Sequence, residues 1–205
     1  MSTNPFIPTE EAPPPLELDA PDDLLGNHAG WSGPATPAGI GAGTLSEAPW
    51  PQQEVTDYAD VMVMGIHGGA GASTVARLLG ERATDVGLGW PVAGGWTRPR
   101  PVLNVLAVCR TDHVGLSAGM RFAHHWATGN LTDSRLLGII IIDDGPKLLD
   151  SQKRAARRLG QMTPHGWHLP WINEWRVEFP DPARLPRRVR KSINTITELA
   201  EPKEK

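Results

Sequence analysis

The chain has 205 residues, 40% of them hydrophobic, and a formal net charge of −3. That length allows one domain with an appendage, and its apolar run Leu136 to Ile142 is strand-sized, far short of a bilayer span. The opening Met1-Ser2-Thr3-Asn4-Pro5 lacks a signal peptide's basic region and apolar core, and the single Cys109 excludes an internal disulfide, so a soluble cytoplasmic chain is expected.

The small net charge hides a division along the chain. No Lys or Arg precedes Arg77, whereas Glu10, Glu11, Glu17, Asp19, Asp22 and Asp23 make the start acidic and the remainder is net basic. Residues 1–55 are rich in Pro, Gly and acid, with Pro13-Pro14-Pro15 and Gly39-Ile40-Gly41-Ala42-Gly43. Such a segment cannot bury enough apolar surface to offset its ordering entropy, and it is expected to be disordered. Within it, Leu16-Glu17-Leu18-Asp19 and Asp22-Asp23-Leu24-Leu25 read either as an acidic–apolar docking motif or as a solvated tail that folds back on the basic domain. The folded domain is expected over residues 56–200, with residues 201–205 a disordered end.

The next stretch organises the domain. Val61-Met62-Val63-Met64 is an apolar run, followed by Gly65-Ile66-His67-Gly68-Gly69-Ala70-Gly71-Ala72-Ser73-Thr74 and then by Val75, Leu78 and Leu79 at helical spacing. This is the layout of a strand, a phosphate-cradling loop and a helix whose N-terminus faces the loop. Gly68, Gly69 and Gly71 suit the turn of N–H groups toward an anion, and Ser73 and Thr74 suit a helix cap or contact with a phosphate and its magnesium.

On those residues the loop resembles the deviant Walker A of the ParA/MinD branch of P-loop NTPases. Gly68, Gly69, Gly71, Ser73 and Thr74 match, while His67 stands where the branch has its signature lysine, Ala72 where it has its phosphate-binding lysine, and Ile66 where it has a glycine. The alternation of apolar strands and helices along the chain argues for an α/β three-layer domain with a mainly parallel sheet, which the resemblance also implies. The resemblance further implies ATP and magnesium as weakly held ligands, touched by His67, Gly68, Gly69, Ala70, Gly71, Ala72, Ser73 and Thr74, with Ser73 on the metal. Without an ammonium at Ala72, the β- and γ-phosphates lose their neutralising cation, so catalysis is not expected.

Gly87 to Trp96 is short and broken by Gly and Pro, and supplies neither the long strand ending in aspartate nor the Walker B strand of that branch. Asp85 is the only acid nearby and reads as lying in the helix end or its loop. Pro101 to Arg110 reads as a buried parallel strand. Thr111-Asp112 then caps a helix whose Leu116, Met120, Ala123 and Ala127 share one face. His124 and His125 diverge on that helix, which argues against a metal site there. Asn130 to Asp133 form a turn.

Leu136-Leu137-Gly138-Ile139-Ile140-Ile141-Ile142 lacks alternation, as expected of a central strand covered on both faces. Asp143 and Asp144 end it, where ligands bind in parallel sheets. The alternative role of these two is to cap a helix from Lys147 to Gly160. That helix is expected to bury Leu148, Leu149, Ala156 and Leu159 and to expose Lys153, Arg154, Arg157 and Arg158.

Thr163 to Ile172 reads as a last short strand and a loop. Its Leu169-Pro170-Trp171-Ile172 turn resembles the leucine–proline turn that contacts adenine in the ParA/MinD branch, which makes Pro170 a candidate contact. Trp167, Trp171 and Trp175 read as packing residues, and His165 and His168 lack companions for a metal site. Asp181-Pro182 marks the start of a closing helix. Leu185, Val189, Ile193, Ile196 and Leu199 form its buried stripe, with Arg184, Arg187, Arg188, Arg190 and Lys191 in its first half.

The whole layout also resembles uncharacterised proteins carried by actinobacterial conjugative elements. Two readings follow. One is a non-catalytic adaptor or regulatory protein of a mobile-element, DNA-transfer or partition system; the other is an ATPase in which His67, an arginine or a partner's residue replaces the missing lysine. The implied partners are a protein held through the acidic tail or the basic helices, DNA held without sequence preference, and a second copy in a homodimer.

Overall fold

The computed structural model describes residues 30–39, 50–95 and 98–201. In chain order these form β1 (Trp31–Ser32), β2 (Gln52–Val55), β3 (Val61–Gly65), α1 (Ala72–Leu79), β4 (Ala83–Asp85), β5 (Trp90–Ala93), β6 (Leu103–Arg110), α2 (His113–Ala127), β7 (Ser134–Ile142), α3 (Asp150–Gly160), β8 (His165–Leu169) and α4 (Arg187–Ala200). The main sheet has six strands in the order β1-β8-β7-β6-β3-β4. All of its pairings are parallel except that of β1, which lies antiparallel on the edge of β8. The small strands β2 and β5 pair in parallel as a second sheet.

The unbroken apolar strands are explained by helices on both faces. Met62, Met64, Val105, Ala107, Ile139 and Ile141 pack with Phe122 of α2 and Leu159 of α3. Val61, Val63, Leu106, Val108, Ile140 and Ile142 pack with Val75 and Leu78 of α1 and Val189 and Ile196 of α4. Each such Val, Leu, Ile, Met or Phe side chain contributes about 1.5–3 kcal/mol by leaving water, and successive residues of one strand feed opposite cores. A bulge shifts this phase in β7, where Val105 pairs with Leu136 but Leu106 with Gly138. Gly138 is required there because a Cβ would stand 2.1 Å from the His165 carbonyl oxygen of the next strand.

The second sheet closes the α2 side. Trp90 is fully buried and its indole donates to the Thr132 carbonyl at 2.9 Å. Trp50 meets the Phe122 ring edge-on at 5.3 Å and donates to the Ile66 carbonyl at 3.0 Å.

Several expectations need correction. Trp31–Ser32 and Gln52–Val55 are strands although they fall in the segment expected to be disordered. The acidic–apolar motifs at residues 16–25, with the rest of residues 1–29 and 40–49, lie outside the described residues, as do residues 202–205. Trp90–Ala93 is a strand despite its Gly- and Pro-rich flanks, because pairing with β2 and burial of Trp90 override local propensity. Asp85 ends β4 beside β3 and is not in a helix end.

The third helix begins at Asp150, after Leu149, whose side chain is exposed rather than buried. The Leu149 N–H instead donates to the Gln152 side-chain oxygen at 2.8 Å, and Asp143 and Asp144 do not cap this helix. Asp181 caps only the short turn Pro182–Arg184, and α4 starts at Arg187. The basic residues of α3 and α4 lie on opposite faces of the sheet and do not form one surface. Lys153 and Arg188 are only half exposed. No helix among the described residues is long and apolar enough to cross a membrane.

Candidate functional site: a cleft at the strand ends

The chain leaves β3 through α1 to reach β4 on one side, and later returns to place β6 on the other side of β3. α1 and α2 consequently cover opposite faces, and the loops after β3 and β6 diverge. Such a reversal opens a crevice at the carboxyl ends of parallel strands, where ligands of open α/β sheets bind. A cavity of about 330 Å3 opens beside this point. It is lined by Gly71 and Thr74 after β3, Arg110 at the end of β6, Ile142 and Asp143 at the end of β7, and Pro170, Trp171, Ile172, Trp175 and Arg176 after β8.

The loop is shaped by two left-handed glycines, Gly69 with φ 74° and Gly71 with φ 98°. A Cβ at Gly71 would also meet the Ile142 side chain at 2.8 Å. α1 begins directly at Ala72, so the first-turn N–H groups of Ala72, Ser73 and Thr74 have no intrahelical acceptor. Ala70 and Ala72 are buried in the core shared with α1 and α4, while Gly68 and Gly69 are exposed. The His67 ring is occupied locally: Nδ1 lies 2.9 Å from the Gly68 carbonyl and Nε2 accepts from the Arg110 backbone N–H at 3.2 Å. That pairing suits the tautomer with its proton on Nδ1 and uses both ring nitrogens, and His67 is not in the cavity wall.

The cation of the cavity comes from elsewhere. Arg110 Nε donates to the Gly69 carbonyl at 2.8 Å, and a terminal nitrogen lies 3.4 Å from an Asp144 carboxylate oxygen. Its guanidinium is thereby held against the glycine loop with donors left over. Arg176 stands on the other side, its guanidinium 5.2 Å from the centre of the Trp171 ring.

Ser73 does not point into the cavity with Thr74. Its hydroxyl donates to Asp85 Oδ2 at 2.5 Å, and Asp85 Oδ1 accepts from the Gly87 N–H at 2.9 Å. Among the described residues no three His, Cys, Asp or Glu side chains form a metal cluster. One hydroxyl beside one carboxylate fits a magnesium ion only if ligand phosphate oxygens complete its shell.

Asp143 is buried, and its carboxylate is 2.7 Å from His168 Nε2 and accepts from the Trp171 N–H at 3.3 Å. His168 Nδ1 faces an Arg188 nitrogen at 3.3 Å. A hydrogen-bonded row thus runs from the cavity wall to α4. Asp144 instead faces outward beside Arg110, with its N–H on the Thr111 hydroxyl at 2.9 Å.

Of the residues expected to form a site, Gly71, Thr74, Asp143 and Pro170 line one cavity, and Gly69 and Asp144 hold its arginine. His67, Gly68, Ala70, Ala72 and Ser73 adjoin it without lining it. The sequence by itself gives Arg110, Asp85, His168 and Arg176 no place in a site and Trp171 only a packing role. A readable signal existed for the first, an arginine closing an otherwise apolar parallel strand. Trp167 packs in the core and Trp175 packs against it, as expected, while Trp171 and Trp175 also line the cavity.

Residues 59–193, which carry the loop, the strand ends and the cavity lining, match a family of unknown function (DUF6668). The chain belongs to that family. No curated protein and no solved structure matches it. The matched span of the DUF6668 chain leaves out β1 and β2 but includes every cavity-lining residue.

Proposed function

We propose that the chain is a degenerate P-loop protein of the ParA/MinD type that binds a nucleotide in this cavity without turning it over. It would serve as an adaptor or regulatory protein in a mobile-element, DNA-transfer or partition system. The observation that carries this reading is the Arg110 contact with the Gly69 carbonyl at 2.8 Å. A guanidinium on the glycine loop offers planar, paired donors to phosphate oxygens, which answers the loss of the ammonium at Ala72.

Phosphate would lie among Arg110, Gly71, Thr74 and the first-turn N–H groups of α1. The base would lie toward Pro170, Trp171 and Trp175, whose rings suit stacking. Ser73 and Asp85 would hold magnesium together with the phosphates, and the metal would supply charge neutralisation there. The ATPase reading draws support from the same Ser73–Asp85 pair, since a carboxylate beside the loop hydroxyl is what a metal-assisted reaction requires. The half-exposed and exposed basic residues of α3 and α4 suit protein or DNA contacts on two separate faces.

Titration of ATP, ADP and pyrophosphate, paired with phosphate release, tests the proposal. Saturable binding weakened by Gly71→Val, without turnover, is expected. Magnesium-dependent turnover lost on Ser73→Ala would establish the ATPase instead. Absence of binding by all three ligands would reduce the loop to a structural turn.

A further inference from the structure

Away from the cleft, residues 30–33 occupy a groove that is shaped for them. Trp31 pairs with Gly166 and Ser32 with His165 on the edge of β8, and the Gly33 N–H donates to the Pro164 carbonyl at 3.2 Å. The Trp31 ring lies over Gly160, the last residue of α3, where a Cβ would stand 2.2 Å from a ring carbon. Both flanking glycines are sterically required. A Cβ on Gly33 would meet the Gln161 and Thr163 carbonyl oxygens at 2.3 and 2.4 Å, and one on Gly30 would meet the Gly166 oxygen at 2.9 Å. Ser32 is exposed, so its identity is not read.

The attachment is slight. It consists of a strand of two residues, Trp31 is only half-buried, and the described residues that follow it, 34–39, are exposed and carry no helix or strand. Without β1, the edge of β8 would present free backbone donors and acceptors, which is the template for strand addition by a peptide.

We infer that the edge of β8, floored by Gly160, is a peptide-binding site for an extended Gly-Trp-x-Gly segment, filled in this structure by the chain's own residues 30–33. Main-chain pairing supplies affinity, the tryptophan seat supplies specificity, and the two glycine positions exclude larger residues. A partner protein presenting the same four-residue pattern displaces the chain's own segment. The site also adjoins the cleft, because the His168 ring, 6.4 Å from the Trp31 ring, is hydrogen-bonded to Asp143 of the cavity wall.

The test uses full-length Trp31→Ala protein and a dye-labelled peptide with the sequence of residues 30–36, read by fluorescence anisotropy. Saturable binding is expected, at least ten-fold tighter than to wild type, whose groove is filled. Adding Gly160→Ala to Trp31→Ala should weaken it at least ten-fold, since the atoms nearest that Cβ all belong to Trp31. No binding to folded Trp31→Ala protein, or binding indifferent to Gly160→Ala, would overturn the inference. Hydrogen exchange on the wild type decides the matter independently, should Trp31→Ala fail to fold. Amides of residues 30–36 should exchange far ahead of Ile139–Ile142, and equal protection would make the segment a fixed strand.

Discussion

Arg110 reaches from the end of one strand to the Gly69 carbonyl in the loop after its neighbour, at 2.8 Å. The cleft's cation therefore depends on the register of β6 against β3, and not on the loop's own sequence. Ala72, where the resemblance places a lysine, is buried in the core with α1 and α4.

That arrangement predicts the outcome of restoring the lysine. Ala72→Lys must bury a long side chain or push its first turn outward, costing about 1–3 kcal/mol. Thermal unfolding should show a lowered midpoint without new phosphate release. A gain of turnover with unchanged stability would show that position 72 opens into the cleft.

Magnesium dependence should reside in the Ser73–Asp85 pair. Asp85→Asn keeps the hydrogen bond to Ser73 feasible but removes the negative charge that attracts the cation. ATP affinity should then respond to magnesium less than in the wild type, while affinity without magnesium stays the same. An undiminished magnesium response would remove Asp85 from the metal site.

Gly138 carries a structural prediction. With its Cβ position 2.1 Å from the His165 carbonyl oxygen, Gly138→Ala should destabilise the fold by about 3 kcal/mol. Denaturant unfolding measures this, and a change below about 1 kcal/mol would mean that the β7–β8 pairing relaxes easily.

Two histidines set an acid-side dependence. Burial lowers the pKa of His125 from its ordinary value, and burial together with Arg135 lowers that of His165. A group whose folded pKa is depressed takes up protons on unfolding. Its stabilising effect is present above the unfolded value, near 6.5, and is lost as pH falls below it. The melting temperature should drop between pH 7 and 5.5, and His125→Gln with His165→Gln should flatten that drop. An equal fall in the double variant would assign it to carboxylates.

The sequence made the central strands legible because burial on both faces leaves runs such as Ile139 to Ile142, and it made the glycine loop legible because Gly69 and Gly71 need left-handed backbone. It could not show β1, β2 or β5, whose short segments are stable only through pairing with distant partners. Nor could it show that Ser73 turns to Asp85 and away from Thr74, or that His168 lies behind Asp143. Those relations depend on which strand ends the topology brings together. Arg110 illustrates the limit: the strand was readable, but its neighbour was not.

The most direct measurement is calorimetric titration of ATP into the full chain, Arg110→Lys and Arg110→Ala, without magnesium. The wild type should bind with a dissociation constant of roughly tens of micromolar or weaker, since the one cation held on the glycine loop is shared with Asp144 and the loop adds only partial charges. Arg110→Ala should bind at least ten-fold more weakly, as loss of a charged hydrogen bond worth about 1.5–3 kcal/mol requires, with Arg110→Lys between them. Equal affinity in the folded wild type and Arg110→Ala proteins would contradict the assignment of this cleft as a phosphate site.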